Sequence, residues 1–145
     1  MSASGFLLDT NVVSEALRPR PNPRVVAWLR ANDARAWLSV VTVGEIEAGI
    51  RGAPDPRRAD TLRVWLEEVL IPQFAHRLLS VDLAVARRWG ERTAAARASG
   101  TPVGAVDALI AATAAQHGLV VATRNGHGFA HLDVAVVDPW RAAER

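Results

Sequence analysis

Three acids occupy positions from which a carboxylate can do chemistry. Asp9 ends the apolar run Phe6-Leu7-Leu8, Glu45 follows the apolar segment from Ala36 to Val41, and Asp107 opens an alanine-rich stretch after Gly100-Thr101-Pro102-Val103-Gly104. Each stands at a strand-to-helix junction or in the first turn of a helix. In an open α/β sheet the ligand crevice lies beyond the carboxyl ends of the strands, so a doubly wound sheet can bring all three to one edge. Carboxylates gathered in this way repel, raise one another's pKa values, and are tolerated mainly where a cation neutralises them. An all-oxygen donor set suits Mg²⁺ or Mn²⁺. The chemistry it supports is metal-assisted hydrolysis of a phosphodiester.

Each acid also has a purely local reading. Asp9 is a good N-cap for a helix starting near Asn11, Glu45 completes a capping box with Thr42 in Thr42-Val43-Gly44-Glu45, and Asp107 suits the positive end of a helix dipole. Glu47, two residues beyond Glu45, points to another side of the same helix and is expected to be solvated or salt-bridged. His127 reads as a loop residue rather than a metal ligand, because nitrogen suits Mg²⁺ poorly.

The elements that must position these acids follow from apolar periodicity and breaker residues. The strands are expected at Phe6 to Leu8, Ala36 to Val41, Leu78 to Val81, Leu119 to Ala122 and Val134 to Val137. Helices are expected from Asn11 to Leu17, from Pro23 onward, from the Thr42 capping box, through Leu62 to Leu70 with Pro72 closing the helix, from an Asp82 cap to Ser99-Gly100, and over 105 to 116 before Gly118. Arg18-Pro19-Arg20-Pro21-Asn22-Pro23 is a loop. Strands separated throughout by helices predict right-handed crossovers, with helices on both faces of the sheet. The expected fold is a three-layer α/β/α sandwich with a mostly parallel five-stranded sheet.

The 145 residues, half of them hydrophobic, fit a single domain over 1–145, with only 1–4 and 141–145 expected to be dispensable. The absence of cysteine excludes disulfides and thiolate metal sites. No apolar run is long enough to cross a bilayer and no signal peptide is apparent, so no membrane association and a cytoplasmic location are expected. All 17 basic residues are Arg, which inflates the pI of 10.8 although the formal net charge is only +2. That balance does not by itself demand a nucleic-acid partner, but the planar guanidinium fork suits phosphate. Arg18, Arg20 and Arg124 are nearest to the acids in sequence and are candidates for holding substrate, with a solvated surface role as the alternative.

Four segments taken together resemble the PIN-domain ribonucleases, and most of all the VapC and FitB toxins of type II toxin-antitoxin pairs. They are Phe6 to Asn11, Ser39 to Glu45, Asp107 to Ala114 and Ala122-Thr123-Arg124-Asn125, in order along nearly the whole chain. The resemblance implies a PIN-like fold and a Mg²⁺- or Mn²⁺-dependent endoribonuclease acting on single-stranded RNA. It further implies a homodimer held inactive by a cognate antitoxin protein. By motif match, Asp9, Glu45 and Asp107 take the catalytic, metal-binding positions and Thr10 and Thr123 support them; Asn11 and Asn125 join them as supporting polar groups.

The chain departs from such toxins where they commonly carry a fourth acid, three residues after the Thr-Arg-Asn segment, for Gly128 stands there. The site is then one ligand short, and Gly128→Asp is expected to add it unless the glycine is needed for a positive φ. The same gap motivates an alternative, a degenerate PIN module that binds RNA or antitoxin without cleaving. A phosphatase of the haloacid-dehalogenase type fits less well, because the second Asp it needs is Asn11 here.

Overall fold

Helix starts in this chain are set by side chains that satisfy the free N–H groups of the first turn. The computed structural model describes residues 5–142, and the terminal residues 1–4 and 143–145, expected to be dispensable, lie outside them. Asp9 caps α1 (Thr10–Glu15), Asn22 caps α2 (Pro23–Asn32), Ser39 caps α3 (Val40–Gly52), Asp55 caps α4 (Pro56–Trp65) and Asp82 caps α6 (Leu83–Ala98). Pro23 and Pro56 each open their helix at the position where a missing N–H costs nothing. Helix α7 (Ala105–His117) ends in the left-handed Gly118, at φ 65°, and Leu119 N–H closes on Ala114 O at 2.9 Å.

The third and fifth strands are shorter than expected, Leu78–Leu79 in place of Leu78 to Val81 and Val136–Val137 in place of Val134 to Val137, and two further segments depart from the sequence-based expectation for local reasons. The second strand, β2, spans Ala36–Ser39 and not Ala36 to Val41, because the Ser39 hydroxyl accepts from Val41 N–H at 3.0 Å and turns Val40 and Val41 into helix. Thr42 therefore lies inside α3 with its hydroxyl buried and unpartnered, and no capping box forms with Glu45. The second departure concerns Pro72, which does not close its helix. After α4 the Leu66–Leu70 stretch widens to π spacing, with Ile71 N–H reaching the Leu66 carbonyl, and the helix continues as α5 (Ile71–Gln73). The widened turn accommodates a proline that has no N–H for the ordinary ladder.

The five strands form one sheet in the order β3-β2-β1-β4-β5, where β1 is Phe6–Leu8, β3 Leu78–Leu79, β4 Val120–Ala122 and β5 Val136–Val137. Every pairing is parallel, with Leu7 beside Trp37 on one flank and Val121 on the other. Strand alternation separates the two cores. Leu8, Leu38 and Ala122 face Val12, Val25, Ile46, Ile50, Leu66 and Leu70 from α1, α2, α3 and the π segment. Leu7 and Val121 face Ala108, Ile110, Ala111 and Ala114 of α7, with Phe129 and Leu132. Alanine on that helix lets it settle close to the sheet. Helices thus cover both faces of a parallel sheet, the three-layer arrangement expected from the sequence. Chain order reverses between β1 and β4, which makes the gap beyond their carboxyl ends the topological switch point.

Candidate active site

Asp9 and Thr123 leave the carboxyl ends of β1 and β4, so they meet across that switch point. The sheet register brings them together: Asp9 N–H continues the ladder onto Ala122 O at 2.9 Å, and Thr123 N–H continues it onto Val137 O at 3.0 Å. The Thr123 hydroxyl, fully buried, donates to Asp9 Oδ2 at 2.8 Å. Asp9 Oδ1 accepts from Thr10 N–H at 2.9 Å as the cap of α1. The local reading of Asp9 and its place in the site therefore coexist, one oxygen serving each.

Glu45 comes from the second turn of α3, and its Oε1 accepts the Thr10 hydroxyl at 2.5 Å. Thr10 thereby links two acids: its backbone N–H meets Asp9 and its side chain meets Glu45. Asn11 ties β4 to α1. Its Nδ2 donates to Thr123 Oγ1 at 3.2 Å and lies 3.4 Å from Asp9 Oδ2, while its Oδ1 accepts Arg124 N–H at 3.2 Å. Asn125 enters through its backbone, donating N–H to Thr123 Oγ1 at 3.0 Å.

Asp107 sits in the first turn of α7, where a helix dipole favours the ionised form. Its carboxyl is nevertheless pushed above the ordinary range, first by burial and then by the charges of Asp9 and Glu45. No hydrogen-bond donor reaches the Asp107 carboxylate among the described residues, and none of the three acids is in an ion pair there. Glu47, by contrast, pairs with Arg51 at 3.6 Å on another side of α3, as expected.

Among the described residues no group of three or more carboxylate or imidazole side chains is gathered closely enough, as placed, to hold a metal ion. The three acids are nevertheless near enough for Asp107 to feel the charges of both others, and together they offer only oxygen donors with no ion-paired cationic side chain among the described residues. That charge pattern fits an oxygen-seeking divalent cation and no softer one. His127 is exposed on the short turn Gly126–Phe129. Gly128 does face the site, but its φ is not positive, in contrast to Gly100 and Gly118. It is glycine for clearance: an added Cβ would meet Asp107 Oδ2.

The PIN domain family model matches residues 6–135, which include all three acids and the Thr123 segment. The chain belongs to the PIN domain family. The toxin FitB of Neisseria gonorrhoeae is 44% identical over 136 residues, covering 93% of this chain and 98% of FitB. The VapC ribonuclease Y4jK of Sinorhizobium fredii is 36% identical over 95% of this chain and 99% of its own length. The crystal structure of FitAcB from Neisseria gonorrhoeae superposes with a TM-score of 0.88 at 43% identity, over 94% of this chain and 99% of that one. The PIN fold expected from the motifs is thus the observed one. As a PIN domain with a ribonuclease among its relatives, the chain is a nuclease of the hydrolase class.

Two residues of this PIN domain carry structure that its sequence did not announce. Glu15, on the buried face of α1, is only 5% exposed. Its one signal was an acid set between Val12, Val13 and Leu17. Trp140 lies far along the chain from the α1–α2 loop, yet both line one cleft, together with Arg18, Arg20 and Arg124. The three arginines singled out from the sequence are exposed and do come together there.

Proposed function

We propose that the protein is a Mg²⁺- or Mn²⁺-dependent endoribonuclease toxin that cleaves single-stranded RNA and is restrained by a cognate antitoxin. One observation carries the reading: three carboxylates from three elements stand near one another without a paired counter-charge, and Asp107 is pushed above its ordinary range by burial first and then by Asp9 and Glu45. Asp9, Glu45 and Asp107 would hold the cation. The chemistry such an ion supplies when bound is activation of water for attack on phosphorus and neutralisation of phosphate charge.

The chain's own groups set the stage for that reaction. Thr123 orients Asp9 through Oδ2, and Thr10 orients Glu45 through Oε1, so neither carboxylate rotates freely. Asp107 has no such tether, and burial together with the charges of Asp9 and Glu45 pushes its carboxyl above the ordinary range. The antitoxin partner and a homodimeric state rest on the likeness to the FitB and VapC toxins. Among the described residues no helix is long and apolar enough to cross a membrane, which is consistent with a cytoplasmic RNA target.

A non-cleaving PIN module that binds RNA or antitoxin is favoured by one observation, the absence of a carboxylate at Gly128. The two readings separate on incubation of the purified protein with single-stranded RNA. Cleavage that requires Mg²⁺ or Mn²⁺ and stops with EDTA supports the nuclease; binding without cleavage in either metal supports the module.

A further inference from the structure

Beside the acidic mouth lies a second concavity of opposite charge. A cleft of about 620 Å³ opens between the α1–α2 loop and Trp140, lined by Glu15, Arg18, Arg20, Asn22 and Arg124 together with the indole. It adjoins the acids directly, because Arg124 follows Thr123 and its backbone is bound to Asn11.

The rim is held in place. Buried Glu15 accepts Asn22 N–H at 2.8 Å and pairs with Arg18 at 3.5 Å, so its charge is used within the loop. Asn22 in turn caps α2 by accepting Arg24 N–H at 2.9 Å, and prolines 19, 21 and 23 restrict the chain between. Opposite, Asp138 accepts Trp140 N–H at 2.9 Å while the indole packs on the core. The Arg124 guanidinium lies over that ring, 5.1 Å from its centroid. Arg20 and Arg124 have no carboxylate partner among the described residues.

A pair of unbalanced guanidiniums suits a phosphodiester, and a guanidinium set over an indole offers a platform for an unpaired base. We propose that this cleft is a nucleotide subsite for the RNA strand. The phosphate would sit between Arg20 and Arg124 and the base against the Arg124–Trp140 stack, one step along the strand from the acids. The inference rests on the reading of the protein as a single-strand ribonuclease and adds how it prefers unpaired RNA, since a base inside a duplex is not free to stack.

The test measures binding of a labelled single-stranded oligoribonucleotide in EDTA, where cleavage is off, and cleavage in Mn²⁺. Arg20→Ala and Arg124→Ala are each expected to weaken binding about tenfold and to lower the salt slope by about 0.7, one single-strand phosphate contact apiece. In Mn²⁺ they should raise KM while leaving kcat near that of the wild type. Trp140→Leu should weaken binding by a similar factor and Trp140→Phe should restore it; the exposed Arg20 gives a variant that keeps its fold. Wild-type affinity and salt slope in both arginine variants would overturn the subsite. So would variants that bind RNA normally and lose only inhibition by the antitoxin, which would make the cleft a protein-docking site. If the wild type never cleaves RNA in Mn²⁺ yet binds it through Arg20 and Arg124, the nuclease reading falls and the subsite stands.

Discussion

Gly128 lies so near Asp107 that any side chain there would make the carboxylate move. A Cβ there would run into Asp107 Oδ2 and stand 3.0 Å from Asn125 Nδ2. The position that carries a fourth acid in similar toxins is, in this chain, space that Asp107 borders directly.

That contact reverses what the sequence suggests for Gly128→Asp. A new carboxylate would compete with Asp107 for one volume, displacing a ligand and not adding one. Gly128→Ala and Gly128→Asp are both expected to bind Mn²⁺ more weakly in calorimetry while keeping close to wild-type stability, because the untethered Asp107 carboxylate can swing aside at little cost. Tighter Mn²⁺ binding by Gly128→Asp would show that the carboxylates share the space without conflict.

The threonine tethers separate by burial. Thr123→Val keeps the shape but leaves Asp9 Oδ2 with only the 3.4 Å contact from Asn11, so a loss of about 1–3 kcal/mol is expected in denaturant unfolding, along with slower cleavage. Thr10→Val, at a half-buried position, should cost less stability while still slowing cleavage, because Glu45 loses its donor. Equal stability losses in the two variants would contradict the burial argument.

Much of this arrangement is legible from the sequence because it is local. The run Phe6-Leu7-Leu8 delivers Asp9, Asp82 caps α6 and Gly118 stops α7, each signalled within a few residues. The start of α3 was misplaced because Ser39 and Thr42 are both capping types, and only the sheet register decides that Ser39 ends the strand. Pro72 within a continuing helix has no local signature either, since the π turn that admits it depends on burying Leu66 and Leu70 in the core. The Arg124–Trp140 stack joins β4 to the segment after β5, and parallel strand pairing sets that contact without any pattern in either segment.

The raised Asp107 carboxyl has a defined consequence for stability without metal. Because its folded-state pKa is above the ordinary 3.8, the native state holds that proton more tightly than the unfolded chain. The stabilisation is complete below 3.8 and is lost as pH rises through the folded value. In EDTA at neutral pH, Asp107→Asn should therefore melt above the wild type, with the difference closing as the pH approaches and passes below 3.8. Added Mn²⁺ should reverse the order at neutral pH, since only the wild type keeps all three ligands. A variant less stable than wild type in EDTA at neutral pH would mean that neither burial nor its neighbours' charges disfavour the Asp107 carboxylate.

The most direct measurement compares cleavage of one single-stranded RNA by the wild type and by Asp9→Asn, Glu45→Gln and Asp107→Asn at fixed Mn²⁺, with and without EDTA. The expected result is metal-dependent cleavage by the wild type alone, with all three variants folded and inactive. Cleavage that survives EDTA, or full activity in any one of the three variants, would contradict a nuclease site built from Asp9, Glu45 and Asp107.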